Sequence, residues 1–380
     1  MAVYDERTVD WGQSGRLTYY SVRTVDPFTL AETSNDIEVD DEGTSITYAY
    51  ETDNHMEATV SLLEGDYHNI LETNSPHAFD GMVRIYQNVQ IGSFSQSYCM
   101  GTFFVSNVST SSLYGQSTRR LTCYGPMWAF TQDVLAQDFV RHAGDDCWDA
   151  MTDIVDYDNG HIRAGDGFNT ARGHTVDVWF PVGANRAEAL NVYAGWLNAE
   201  IVSDMDGFIK VRPYRAPADR DVVYTFDQGN SCIYKAGIEW ETNRDEPINR
   251  VVAYFSRESK QDDDPYPLAD SCYVDLDDAA DWSYRRTGRR RTEVLQISDP
   301  CSHEDLVAQA QRYLDSSAGA QLYITIEHAG VPWLRVGDCV QYYNTTDMDT
   351  VVNNKCLITE MRINSLSPMC MTQTKMRVIN

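Results

Sequence analysis

Groupings of side chains that could support a reaction are few in this chain, and each is incomplete. His303-Glu304 is the beginning of a zinc-protease pair. That chemistry needs a second histidine one helical turn on, and the residue there is Val307. The 8 histidines are scattered, at 55, 68, 77, 142, 161, 174, 303 and 328. Asp156-Tyr157-Asp158-Asn159-Gly160 has the opening of a calcium loop. An EF-hand would need an oxygen ligand at Gly160, a glycine at His161 and a glutamate at Gly167. Asp262-Asp263-Asp264-Pro265 reads as a solvated loop. No nucleophile elbow or phosphate-cradling loop occurs. With 57 acidic residues, any particular carboxylate pair would be an arbitrary choice. The 9 cysteines include no Cys-x-x-Cys, the spacing that places two sulfurs on one metal or in one redox bond. Several lie in apolar strand-like runs (Cys123, Cys339, Cys356), so reduced, buried thiols are expected, and with them folding in a cytoplasm. No catalytic residue, metal ligand or cofactor is expected.

The remaining concentration of chemistry is basic. Arg285, Arg286, Arg289, Arg290 and Arg291 form the largest positive cluster in a chain of net charge −27. Guanidinium forks suit carboxylates, so one reading is an interface with an acidic patch on a neighbouring subunit. The other is local pairing with Asp275, Asp277, Asp278 and Asp281 just upstream. Binding nucleic acid through its phosphates would require a net excess of Lys and Arg, the reverse of this composition.

Two-residue periodicity positions most of the chain. In the first third, Leu17–Val25, Ser45–Tyr50, Ala58–Leu63, Met82–Val89, Gly101–Val108 and Arg119–Tyr124 read as strands, with a Ser/Thr-rich tip at Val108–Ser117. Gly125-Pro126 marks a change to helical spacing. Helices are expected from Met127 to Leu135, at Asp145–Tyr157, and from Asn185 to Ala199, the last opened by a capping pair, Asn185 and Glu188. Asp158–Gly173 reads as a loop, and Asp204–Gly207 as a tight turn into Phe208–Arg212. Strands return at Val222–Phe226, Cys232–Trp240, Asn249–Ser256, Ser271–Asp275 and Arg291–Ile297. A helix at Ser302–Ser316 follows, then strands at Leu322–His328, Asp338–Tyr343, Asn354–Ile363 and Met369–Val378. No stretch approaches the roughly 20 apolar residues that cross a bilayer, and the opening residues do not read as a secretion signal, so a soluble protein is expected.

Their succession resembles the hub proteins of long-tailed bacteriophage tails, a module also found at the N-terminus of tail-associated lysins. “FDGMVRIYQN” and “MGTFFVSNVSTSS” are similar to the family's paired strands, and “RRLTCYGPMWAF” to its step from strand to helix. “ALNVYAGWLNAEIVSDMDGFIKVRPY” resembles its helix, turn and strand. “NRVVAYFSRES”, “DWSYRRTGRRRTEV”, “CSHEDLVAQAQRYL” and “HAGVPWLRVGDCVQYYN” follow in the family's order. The resemblance runs from about Leu17 to Val378. It implies an α+β, mainly β fold: two tube-like antiparallel β-barrel domains (1–125 and 216–380, the second with the inserted helix 302–316) flanking a helix-containing middle (126–215).

It further implies a non-enzymatic baseplate hub, a virion structural protein forming a homotrimeric, pseudo-sixfold ring at the tail tip. Implied partners are a distal tail protein or tube ring, the tape-measure protein, and other tip or receptor-binding proteins. DNA would pass through the channel without specific binding, which the negative charge favours. The lysin that follows this module in some members has no counterpart before Asn380, so peptidoglycan hydrolysis is not expected. The alternatives are a cell-wall hydrolase, or a receptor- or carbohydrate-binding protein in which Trp148, Trp179, Trp196, Trp282 and Trp333 would be the first side chains to test.

Overall fold

The computed structural model describes residues 15–33, 36–37, 39–50, 52, 55–62, 81–113, 116–155, 161–173, 177–227, 239–243, 248–257, 266–280, 282–297, 301–317, 321–345, 351–367 and 371–379. The fold is mainly β, as the alternating pattern predicts. The first region holds β1 (Arg16–Val25), β2 (Ser45–Ala49), β3 (Met56–Leu62), β4 (Met82–Ile91), β5 (Phe94–Leu113) and β6 (Gln116–Tyr124). Burial alternates cleanly in β2 and through most of β4, placing Ile46, Tyr48, Ile85 and Val89 inside. The expected Ser/Thr-rich tip is where the chain reverses, but most of it is ladder: β5 and β6 run into it, pairing Ser111 with Thr118 and Leu113 with Gln116.

The middle carries α1 (Met127–Thr131), β7 (Phe139–Arg141), α2 (Cys147–Val155), β8 (Ile162–Ala164), β9 (Val178–Phe180), α3 (Arg186–Trp196), β10 (Ala199–Ser203) and β11 (Ile209–Pro213). The first helix stops before Val134, where the chain instead bridges to Asn185 and Leu135 N–H donates to the Ala184 carbonyl. The expected cap on α3 is present: the Asn185 side chain accepts from the N–H groups of Ala187 and Glu188. Strand β8 lies within the stretch read as a loop. It is only three residues long and pairs with β11, 47 positions away by the register Ile209–Ile162, so local periodicity does not reveal it.

The last region holds β12 (Val222–Phe226), β13 (Glu239–Asn243), β14 (Arg250–Ser256), β15 (Ala269–Asp275), α4 (Tyr284–Thr287), β16 (Thr292–Gln296), α5 (His303–Ser317), β17 (Gln321–His328), β18 (Cys339–Thr345), β19 (Val351–Ile363) and β20 (Thr372–Val378). The strand expected at Cys232–Trp240 begins, among the described residues, at Glu239. β14, β15 and β16 form a separate sheet with β14 in the centre. α5 covers one face of it, burying Leu306, Ala310 and Leu314 against Val251, Ala253 and Phe255. This unit has its own core and is inserted between strands of the main sheet.

Strands from both ends of the chain share one 12-stranded sheet in the order β1-β4-β5-β6-β3-β2-β19-β20-β17-β13, with β18 and β12 branching from β19. The seam is the antiparallel pairing of β2 with β19, from Ala49–Glu360 to Ile46–Ile363. One core runs beneath it, joining Ile46, Val60 and Phe103 to Ile324, Ile358 and Met376. Ile46 is fully buried at this seam. Ile46→Ala should therefore lower unfolding stability by about 2–5 kcal/mol, the usual range for a truncated core aliphatic. Urea denaturation checks this; a loss under about 1 kcal/mol would mean that the seam is not part of the common core.

Candidate assembly interface

The site begins with a joint that holds the three regions in fixed relation. Glu200, at the start of β10, is only 7% exposed. Its carboxylate accepts from Tyr50 Oη (2.6 Å) just past β2, from Arg212 Nε (2.6 Å) on β11, and from Arg220 Nη2 (3.2 Å) in the connection to β12. Arg220 also donates to Tyr50 Oη at 2.8 Å and to the Gly337 carbonyl at 2.8 Å. Gly337 has φ +84°, and a Cβ there would lie 2.8 Å from the Tyr50 ring, so this approach requires glycine. Burial raises the Glu200 carboxyl, but Arg212 and Arg220, with the Tyr50 hydrogen bond, outweigh it and hold the group below its ordinary value.

A second clamp docks the middle on the first region. Arg84 donates to the Asp206 carbonyl (2.9 Å) and Thr102 Oγ1 to the Met205 carbonyl (2.8 Å). The Asp204–Gly207 turn is thereby pinned against β4 and β5. Gly207, φ +98°, would bring a Cβ to 3.2 Å from Leu30 and Thr102.

Around this frame the sheet leaves strand edges open. Among the described residues, β13 pairs only with β17. β1 pairs with β4 along its whole length, and among the described residues its other edge is met only from Val22 to Val25, where Ile37, Thr33 and Glu32 come alongside. Leu17 and Tyr19, on the uncovered half, are exposed. An open edge of this length is a template for another strand.

The arginine cluster sits on the inserted unit, around α4 and the start of β16. Arg285, Arg286, Arg289 and Arg290 are exposed and Arg291 is half-buried. Arg285 lies 3.5 Å from Asp278, an exposed pair that contributes little. Arg290 lies over the Tyr284 ring at 4.4 Å. Asp275 is engaged instead by Arg250, which grips both its oxygens at 2.5 Å and holds its carboxyl below the ordinary range.

The other candidate residues do not converge. His303 stands in the first turn of α5, exposed, 3.0 Å from Asp270. No group of three metal-ligating side chains occurs among the described residues. Asp156–Gly160 and Asp262–Pro265 lie outside the described residues. Of the five tryptophans named as candidates, Trp179 is exposed. Trp148 packs on Phe168, Trp196 on Tyr193 and Trp333 on Tyr224, and Trp282 is half-buried. Cys123, Cys147, Cys339 and Cys356 are buried free thiols and Cys301 is buried; Cys99 and Cys272 are free and half-buried. A cavity of about 700 Å³ lies between α3, α5 and the joint. Its charged lining groups are already engaged: Glu200 as above, Arg312 on the Ala199 carbonyl and Arg377 on the Ser316 carbonyl. No helix among the described residues is long and apolar enough to cross a membrane.

Sequence reasoning did not single out Glu200, Tyr50 or Arg220. Their separations of 150 and 170 residues from Tyr50 leave no local signal.

The chain has the fold of phage tail proteins. It aligns with the tail protein from Neisseria meningitidis MC58 at TM-score 0.63 and 16% identity, covering 96% of each chain. The prophage MuSo2 43 kDa tail protein from Shewanella oneidensis gives TM-score 0.57 at 10% identity, over 95% of this chain and 98% of that one. Prophage tail protein gp18 from Listeria monocytogenes EGD-e gives 0.55 at 9% identity, over 94% of each. No protein-family model and no curated protein matches the sequence.

Two expectations follow from the joint and from a second buried group. Glu200→Ala leaves two arginines without their carboxylate and should cost about 3–5 kcal/mol in denaturant, more than Tyr50→Phe. Because the Glu200 carboxyl is depressed in the fold, its contribution is complete above the ordinary carboxylate range. It is lost as pH falls through the lower folded value. His328 is fully buried between Thr374 and the Ala329 carbonyl, and burial lowers it to about 4. The unfolded chain therefore takes up its proton first, and stability should decline as pH drops from about 6.5 towards about 4. His328→Gln should flatten that limb in thermal melts; an unchanged profile would assign it elsewhere.

Proposed function

We propose that this chain is a structural, non-enzymatic subunit of a bacteriophage tail tip, a baseplate hub. Its copies form a homotrimeric ring that joins the tail tube to the tip and surrounds the DNA channel. The carrying observation is the single sheet assembled from both ends of the chain and open, among the described residues, at β1 and β13. Each chain brings two strand-rich halves held by the β2–β19 seam, so three chains supply six strand-rich sectors. This is how threefold assembly would meet a sixfold tube. The fold shared with tail proteins over nearly their whole length supports the same reading.

The partners are other tail proteins: a distal tail protein or tube ring above, the tape-measure protein within, and tip or receptor-binding proteins below. A net charge of −27 keeps phosphates from adhering to the wall, so DNA slides past without a specific contact. Assembly takes place in the host cytoplasm, where the free thiols stay reduced.

Sedimentation velocity and electron micrographs of the purified protein, alone and mixed with tail partners, test the proposal. A ring of three copies with a central opening is expected. Leu17→Asp combined with Tyr19→Asp should shift the population towards monomers without loss of β-structure, since both side chains stand at the open edge of β1. A wild-type protein that stays monomeric at every concentration and with every partner would sink it.

A further inference from the structure

We infer that two apolar patches with oppositely charged rims, one on the inserted unit and one on the middle region, dock against each other between neighbouring copies of this chain. The inference rests on the ring proposed above and names a contact within it.

The first patch is the uncovered face of the β15-β14-β16 sheet. Its other face lies under α5. On the open face the register aligns Tyr273, Val252 and Val294 in one row across the three strands. Tyr273 is 64% exposed and Val294 59%. Arg250 lies over the Tyr273 ring at 4.4 Å, and the exposed Arg285, Arg289 and Arg290 follow on α4 and beyond it. The row is apolar; Asp275 on its border is already paired with Arg250, and the exposed charge left over there is that of the α4 arginines.

The second patch is the outer face of the β7–β9 pair. Phe139 and Phe180 face the middle core, 6.3 Å apart, which turns their neighbours Val140 and Trp179 outward, directly opposite each other. Trp179 is 61% exposed, and Val182 just beyond it 62%. Here the border is acidic. Asp138 accepts from Val182 N–H at 2.8 Å, and Asp177 accepts from Ala143 N–H at 2.8 Å. Asp149 stands exposed on α2 next to Asp153, which pairs with Arg141 of β7.

The occupant of each patch follows from charge. A body of net charge −27 repels its own copies except where arginines are concentrated. The arginine-bordered face is the largest such place, and an acid-bordered face of similar apolar character lies on the same chain. A contact between unlike patches is head-to-tail, and head-to-tail contacts close into rings when the rotation allows. The units carrying the two patches abut within one chain, tied by Arg172 and Asp305 at 3.1 Å, so each copy offers one face of each sign.

Charge reversal tests the pairing. Arg285→Glu with Arg290→Glu alters the basic border, and Asp138→Arg with Asp149→Arg the acidic one. Trp179→Ala probes the apolar centre without touching a backbone cap. Sedimentation velocity at fixed salt should show each variant assembling about tenfold more weakly, or worse, than wild type. Combining all four reversals in one chain should restore assembly to within about threefold. If wild type assembles while the variants are unaffected, or are weakened without recovery in the combination, this contact is wrong and the ring stands on others. If wild type never assembles, the ring and this contact fall together.

Discussion

A buried carboxylate between two arginines fixes how the first, middle and last regions of the chain meet. Glu200 belongs to the middle region, Tyr50 follows the first strands, and Arg220 leads into the last ones and reaches Gly337. In a low-dielectric setting such a network is costly to leave half-satisfied, so its members must all be present together. That requirement gives directionality, which apolar contacts lack. The hydrophobic core would tolerate small rotations of one region on another; the planar guanidinium forks of Arg212 and Arg220 would not.

With the regions held in that way, the β2–β19 seam extends one sheet across both ends of the chain. The consequence is a body whose strongest internal order runs through to exposed edges. Closed barrels remove such edges and soluble monomers usually mask them. Here Leu17 and Tyr19 stand uncovered on β1 among the described residues. The exposed rows at Tyr273–Val294 and Val140–Trp179 add to the surface that a single copy leaves unsatisfied. Exposed apolar rows with charged borders are the kind of surface on which a proposal of assembly can rest.

The titratable groups with displaced ionisation, Glu200, Asp275 and His328 among them, are tied to neighbours that fix backbone elements. Perturbed ionisation marks reactive sites only when the group faces a place a substrate could reach. His328 lies inside the core against Phe226, and Glu200 has its oxygens engaged. Their perturbation reflects architecture.

Much of this was legible in one dimension. Period-two alternation marks β2, β4 and β14, helical spacing marks α2 and α5, and Asn185 announces α3, because burial on one face of an element acts on near neighbours in sequence. Net charge and cysteine spacing likewise need no fold. The order of elements was enough to resemble a tail hub, and the fold is that of phage tail proteins. What the chain could not disclose locally is which strands pair. β2 meets β19 some 300 positions on, by the register Ala49–Glu360, and β8 finds β11 across β9, α3 and β10. Nothing in the residues of the Ser/Thr-rich tip says that they form a ladder until their partner strand is in place. The arginine cluster could be read from sequence, yet its position beside an uncovered apolar row depends on α5 occupying the opposite face of that sheet. Pairing, insertion and exposure are decided by contacts between distant residues, whose energies exist only once the chain has closed upon itself.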